Sequence, residues 1–95
     1  PMIEFPGTRR EFNFIVPETT PVSVIIKLVG ESHVWISDIG ITEIYRDEKH
    51  IGIDKKSVIV SLLIRNPETT ITDEEAAKVQ ETVVTKLAEN GYQLR

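Results

Sequence analysis

The chain has 95 residues, of which 40% are hydrophobic and 27% charged, with a net charge of -4 and no cysteine. This length suits one domain with one core, and the composition is that of a folded protein rather than a disordered one. Without cysteine, disulfides, thiolate metal sites and a cysteine nucleophile are excluded. No apolar run approaches the roughly 20 residues of a membrane-spanning helix, so we expect no membrane partner. The lack of cysteine fits a reducing compartment, and we expect a cytoplasmic protein.

The first residue is Pro1, and neither an initiator methionine nor a signal-like segment is present. We therefore expect a single domain over residues 1–95 that is a fragment of a longer chain.

A strand followed by a helix is predicted for the first third of the chain. Residues 10–16 alternate, with Phe12, Phe14 and Val16 on one side. Thr20 is the predicted helix cap and Pro21 the first helical residue, where its missing N–H costs nothing. The predicted buried face of this helix is Val22, Ile25, Ile26 and Val29. Gly30 is the predicted stop.

The second strand is predicted over residues 34–46, with an irregular register. Ile39, Ile41 and Ile44 are spaced two and then three residues apart. Either Ile41 lies on the open face of the sheet or a bulge near Thr42 shifts the register. Residues 47–54 are a charged connection of hairpin length.

The most regular segment is residues 55–64, a β-branched and aliphatic run that predicts a central strand. Asn66-Pro67 ends it. The sequence from Thr72 to Glu75 has the form of a capping box, so a second helix begins at about Thr72 and ends at Asn90-Gly91. The core stripe of this helix is Ala76, Val79, Val83 and Leu87. Residues 92–95 are a short final strand.

The element order β-α-β-β-α-β predicts an α+β fold of the ferredoxin-like type. Each helix has one apolar stripe, so both must cover the same face of a four-stranded antiparallel sheet. The other face is then open. Its predicted residues are Asn13, Glu43, Tyr45, Ser57, Ile59, Ser61 and Leu63.

Charge is unevenly distributed along the chain. The second helix carries five acidic and two basic residues, so most of the negative charge belongs to that helix. Basic residues cluster instead at the predicted strand ends. They are Arg9, Arg10, Arg46, Lys49, Lys55, Lys56 and Arg65.

The usual catalytic and metal-binding patterns are missing. His33 and His50 are too far apart in sequence for a two-histidine motif, and surface loops explain them. No glycine-rich phosphate loop occurs, and Ser57 and Ser61 lack the glycines of a nucleophile elbow. Asp73 to Glu75 are explained by helix capping. No active site can be argued from these residues.

Tyr45 allows two interpretations. It is either a half-buried aromatic at a strand end or a platform on which a nucleobase stacks on the open sheet face. In the second interpretation Glu43 accepts hydrogen bonds from base amino groups and Ser57 lies beside Tyr45 across the hairpin.

Four segments together resemble a known family: FPGTRREF at 5–12, IYR at 44–46, KKS at 55–57 and NPETTITDEE at 66–75. In this order and spacing they are similar to the ferredoxin-fold anticodon-binding domain that closes the β subunit of bacterial phenylalanyl-tRNA synthetase. The similarity runs from about Phe5 to Arg95. Glu43 stands where the family often has aspartate, and Thr42 replaces a large apolar residue.

The resemblance implies binding of the anticodon stem-loop of tRNA(Phe) by the open sheet face. Tyr45 would stack on the first anticodon base, Glu43 and Ser57 would contact its edges, and basic residues would bind phosphates. Those basic residues are Arg9, Arg46, Lys55 and Lys56. The segment would be non-catalytic and without a cofactor. ATP and magnesium would serve the full ligase, with the α subunit and the rest of the β subunit as protein partners.

A second hypothesis remains open on the residues alone. The chain could be a regulatory or assembly module that binds a small ligand or pairs a sheet edge with a partner. Such a module would expose a contiguous apolar surface at Ile59 and Leu63.

Overall fold

The computed structural model describes residues 4–95, and its elements follow the order β-α-β-β-α-β. The first three residues of the predicted domain lie outside the described residues. Six elements make up the fold: β1 (Thr8–Pro17), α1 (Val22–Ser32), β2 (Ile36–Tyr45), β3 (Lys55–Ile64), α2 (Asp73–Glu89) and β4 (Gln93–Leu94).

The four strands form one antiparallel sheet in the order β2-β3-β1-β4. β1 pairs with β3 along its whole length, from Thr8 opposite Ile64 to Pro17 opposite Lys55. β4 adds only two pairs, at Phe14 and Ile15 of β1. The predicted ferredoxin-like α+β fold is confirmed.

The core lies between one face of the sheet and the two helices. Alternate residues of β1 and β3 point into it, and the helices supply a matching stripe. The core side chains include Phe12, Phe14, Val16, Ile25, Val29, Val58, Val60, Leu62, Ile64, Val79, Val83 and Leu87. Burying these side chains, each worth roughly 1.5–3 kcal/mol relative to exposure, fixes which sheet face is covered and which is open.

Helix α1 differs from its prediction at both ends. It begins at Val22, with Pro21 as a cap that offers no side-chain hydrogen bond, so the prediction of Thr20 as cap was wrong. Thr20 is buried, and its amide bonds to the carbonyl of Pro17 in the connection. Gly30 does not stop the helix. It lies inside α1, where a Cβ atom would come within 3.3 Å of Ile39, so the glycine allows close packing against β2.

Helix α2 matches its prediction because both of its ends are coded locally. The Thr72 hydroxyl accepts from the Glu75 amide at 3.1 Å, and the Glu75 carboxylate accepts from the Thr72 amide at 3.0 Å. At the other end Gly91 has a φ of 86°, and the Tyr92 amide donates to the Leu87 carbonyl. These are the contacts of a capping box and a glycine-terminated helix.

The irregular register of β2 arises from bulges. Ile41 pairs with Val60 and Glu43 with Ile59, so Thr42 is the extra residue and Ile41 stays on the core side. A second shift lies between Ser37 and Gly40. There Asp38 has a φ of 49°, which directs the chain out of the regular ladder.

Within residues 4–95, no helix is long and apolar enough to cross a membrane.

Candidate nucleic-acid interface

Tyr45 lies on the open face of the sheet, opposite the helices. It pairs with Ser57 of β3, which pairs in turn with Ile15 of β1. The Tyr45 hydroxyl accepts a hydrogen bond of 3.1 Å from the side-chain amide of Asn13 on β1. Since β3 separates β2 from β1 by two strand spacings, about 10 Å in total, the ring must extend across β3 to reach Asn13.

Ser57 is the residue beneath this ring. Its relative exposure is 0%, although it lies on the face without helices. Its hydroxyl donates to the side-chain carbonyl of Asn13 and thereby orients the Asn13 amide toward Tyr45. A serine is therefore small enough to leave room for the ring and polar enough to fix its partner.

Arg95 completes the group from the far edge of the sheet. Its guanidinium donates to the Tyr45 hydroxyl, and its carbon lies 5.6 Å from the ring centroid. Its backbone amide donates to the Asn13 carbonyl at 2.8 Å. The side chains of Asn13, Tyr45, Ser57 and Arg95 thus form one connected group, which we call the Tyr45 cluster.

The Tyr45 cluster also changes the acidity of the phenol. Hydrogen bonding by Ser57 and then by Asn13 lowers the pKa of Tyr45, and the positive charge of Arg95 acts in the same direction. Asn13 and Arg95 both donate hydrogen bonds to the Tyr45 oxygen. These two donors hold the hydroxyl end of the ring in place.

The ring itself is half-buried. The Arg95 guanidinium lies over the ring near its hydroxyl end, and the rest of the ring belongs to the open face of the sheet. A fixed aromatic face on an open sheet can stack on a planar ligand such as a nucleobase.

Glu43 lies two residues before Tyr45 and pairs with Ile59, which places it on the same face. Its side chain is exposed. A carboxylate beside the platform accepts hydrogen bonds only, which suits the amino and imino edges of a base.

Ser57 does not fit the expected contact with a base edge. Its hydroxyl is buried beneath the ring and bonded to Asn13, so it supports Tyr45 instead of facing a ligand. Burial beneath an aromatic side chain could not be deduced from its position in the strand.

The basic residues divide by face. Lys55 is exposed, and strand alternation places it on the same face as Ser57. Lys56, which was expected in the RNA-binding surface, points to the helix side and is only 8% exposed, so it offers little surface on the open face. Adjacent residues of a strand point to opposite faces, so strand alternation alone separates the two lysines that the predicted cluster had counted together.

Two arginines of the predicted surface already have acidic partners. Arg46 bonds to Glu18, and this hydrogen bond lowers the pKa of the Glu18 carboxyl. Arg9 bonds to Asp38 at the opposite end of the open face. The positive charge available to a ligand is therefore smaller than the sequence indicates.

The apolar residues of the open face do not form an exposed patch. Ile59 and Leu63 are both half-buried, and the large apolar side chains with most exposure in the described chain lie elsewhere. They are Val34, Ile44, Ile53 and Leu94. The apolar surface that an assembly module would use is not found at Ile59 and Leu63.

Two members of the Tyr45 cluster, Asn13 and Arg95, were absent from the predicted site. Asn13 was assigned to the open face without a role, and Arg95 only to the final strand. The available signal was a lone polar residue in an aromatic strand between Phe12 and Phe14. That signal does not identify its partner.

Comparison with known proteins gives a consistent result. A family described as the ferredoxin-fold anticodon binding domain matches residues 4–95. The chain is 34% identical to the phenylalanine–tRNA ligase β subunit of Thermotoga maritima, across 100% of this chain and 12% of that protein. It is 33% identical to the same subunit of Bacillus licheniformis, across 98% of this chain and 11% of that protein.

The chain thus spans 11% to 12% of the length of these curated relatives. The family match, by contrast, covers both helices and all four strands. On that match and the observed sheet order, the chain belongs to the ferredoxin-fold anticodon-binding domain family.

Proposed function

We propose that this domain binds the anticodon stem and loop of tRNA(Phe) through its open sheet face, as the anticodon-binding part of a phenylalanine–tRNA ligase β subunit. The observation that carries the proposal is the Tyr45 ring, held across Ser57 by Asn13 and Arg95. The family match and the names of the relatives support the choice of ligand.

The proposed role is recognition without catalysis. Aminoacylation, with its ATP and magnesium, takes place elsewhere in the full ligase, whose α subunit and remaining β subunit are the protein partners. The domain works in the cytoplasm.

Tyr45 supplies the main contact by stacking on an unpaired base of the loop. Stacking on an aromatic side chain is worth about 1–3 kcal/mol per base. Because the donors at the hydroxyl end already fix the ring, less side-chain entropy is lost when a base binds.

Glu43 and Lys55 supply the polar contacts around the stacked base. The Glu43 carboxylate accepts from the base edge, which favours bases that present N–H groups. Lys55 binds a phosphate in this proposal. The contact weakens at higher salt, because the counterions that it displaces from the RNA then gain less free energy on release.

A titration of the anticodon stem-loop at low salt tests the proposal. Tyr45→Ala should weaken binding by about tenfold, because it removes one stacking contact, while the thermal unfolding curve stays close to that of the parent. Tyr45→Phe is the matched variant. It keeps the ring but removes the hydroxyl that Asn13 and Arg95 hold, so its affinity should lie between those of the parent and Tyr45→Ala.

Two results would contradict the proposal. One is absence of binding by the parent domain at low salt. The other is equal affinity of the parent and Tyr45→Ala. A stem-loop with an abasic first anticodon position separates base stacking from phosphate binding. The parent and Tyr45→Ala should bind this stem-loop with equal affinity, because it has no base at that position to stack on the ring.

A further inference from the structure

A second side chain crosses β3 on the open face, at the end opposite Tyr45. Arg9 of β1 reaches over Ser61 of β3 to Asp38 of β2. Its guanidinium donates to the Ser61 hydroxyl at 3.0 Å and also bonds to the carboxylate and, at 3.4 Å, the carbonyl of Asp38.

This arrangement repeats that of the Tyr45 cluster in the opposite direction. In each case a planar group lies across a serine of β3 and bonds to a polar residue on the strand beyond. Ser57 and Ser61 are four residues apart on the same face, so the two crossings are about 13 Å apart at roughly 3.3 Å per residue.

The contacts of Arg9 determine what it can offer a ligand. Its edge N–H groups are directed at Ser61 and Asp38, yet 48% of the side chain is exposed. The Asp38 carboxylate offsets its charge, which makes Arg9 a weaker partner for phosphate. Because donors in the guanidinium plane are already bonded to Ser61 and Asp38, we expect a ligand to meet its flat face, which stacks well on bases.

The position of Asp38 is built into the backbone. Its φ of 49° and the register shift between Ser37 and Gly40 bring its side chain and carbonyl to the same guanidinium. Beside Arg9, the surface hollow at this end of the sheet is lined by Phe5, Ser37, Leu63 and Arg65 among others.

We propose that the Arg9 guanidinium, held by Ser61 and Asp38, is a second stacking platform for a second unpaired base of the bound RNA. The inference rests on the proposed function. A separation of about 13 Å is nearly four times the ~3.4 Å rise per nucleotide of a stacked strand, so the two bases are not stacked neighbours.

Arg9→Lys tests the platform because it keeps the charge and removes the plane. It should weaken stem-loop binding by about tenfold without changing the dependence of affinity on salt. Arg10→Lys is the matched control, since Arg10 is the next residue of the same strand and its guanidinium bonds to Gln80 of α2 on the helix side. It should change the affinity by less than twofold.

A fluorescent purine placed at each loop position in turn identifies the bases involved. Two positions that are not adjacent should show stacking with the parent. Tyr45→Ala should release one of them and Arg9→Lys the other, and the unfolding curve of Arg9→Lys should match that of the parent.

Each alternative outcome is distinct. If the parent binds and Tyr45→Ala weakens binding, but Arg9→Lys binds like the parent, the second platform is overturned and the proposed function stands. A second result would also overturn the second platform: Arg9→Gln lowers the slope of log affinity against log salt by about one, while Arg9→Lys binds like the parent. That result would identify Arg9 as a phosphate contact. A parent that does not bind the stem-loop would overturn the proposed function and this inference with it.

Discussion

At the residue scale, the platform depends on the small side chain beneath it. Ser57 has no exposed surface and bonds to the same asparagine that holds the Tyr45 hydroxyl. A larger residue at this position would occupy the space that the ring now covers. The orientation of Tyr45 therefore depends on a neighbour that is itself buried.

Ser57→Val should displace the ring and break its link to Asn13. Because hydrogen bonding by Ser57 and Asn13 lowers the pKa of Tyr45, we expect that pKa to rise toward its ordinary value. An absorbance titration in a Tyr92→Phe background measures it. Affinity for the stem-loop should fall about as far as in Tyr45→Ala.

Ser61→Val is the control for this measurement. It makes the same change on the same strand and face, four residues away, and should leave the pKa of Tyr45 unchanged. Equal titration curves for Ser57→Val and the parent would contradict the supporting role of Ser57.

The sequence was sufficient to predict the face of Tyr45 but not its surroundings. Strand alternation places Tyr45 opposite the core, and the structure agrees. The contacts of Asn13 and Arg95 depend on side chains meeting across β1, β3 and β4, which no local pattern encodes. The burial of Ser57 depends on those same contacts.

At the element scale, α2 is the part of the fold that its own sequence specifies best. Thr72 and Glu75 exchange hydrogen bonds at its first turn, and the Asn66 side chain donates to the same carboxylate at 3.3 Å. Asn66 is buried at the end of β3. The cap therefore also joins the start of the helix to the strand that precedes it.

Thr72→Ala should lower the free energy of unfolding by about 1 kcal/mol, because one helix amide loses its acceptor. The other half of the cap is the Glu75 carboxylate, and the dependence of stability on acid pH tests its contribution. Hydrogen bonding from the Thr72 backbone lowers the pKa of Glu75, so its contribution is present above the ordinary glutamate pKa and is lost as the pH falls through the lowered value.

Denaturant unfolding at a series of pH values measures this. Glu75→Gln should flatten the loss of stability in that acid window. Glu74→Gln removes a neighbouring acid of the same turn without touching the cap and should keep the slope of the parent. Identical profiles for Glu75→Gln and the parent would rule out the linkage.

The remaining elements were predicted less well where tertiary contacts override local signals. Thr20 and Pro21 have the form of a helix start, but Thr20 is used in the buried connection. Gly30 has the form of a stop, yet its missing side chain serves packing against Ile39. In β2 the apolar spacing left the bulge at Thr42 as one of two alternatives, whereas the second bulge, at Asp38, left no trace in the apolar pattern.

At the scale of the whole molecule, acidic residues lie on both sides of the sheet, with Glu43 on the open face and five acidic residues on α2. The acidic residues of α2 belong to the helix layer, and the open face carries Lys55 near the Tyr45 cluster. Several other basic residues are paired or buried. RNA binding should therefore depend on salt only moderately for a domain with eleven basic residues.

Lys55→Gln should lower the slope of log affinity against log salt by about 0.7–0.9, the value of one phosphate contact. Lys56→Gln is the adjacent control. Its side chain points to the helices, so the slope should stay that of the parent. Unfolding curves establish that both variants are folded, and equal slopes for Lys55→Gln and the parent would remove Lys55 from the interface.

The Tyr45 cluster draws one side chain from each of β1, β2 and β3 and a last one from Arg95, directly after β4. No pair of neighbouring strands contains the whole Tyr45 cluster. A partly formed sheet therefore lacks the complete binding surface. A ligand that recognises only the finished arrangement stabilises the entire domain, by about 2.7 kcal/mol at a hundred times its dissociation constant. Occupancy and cooperative folding are thereby coupled, and a thermal melt becomes a direct report of ligand affinity.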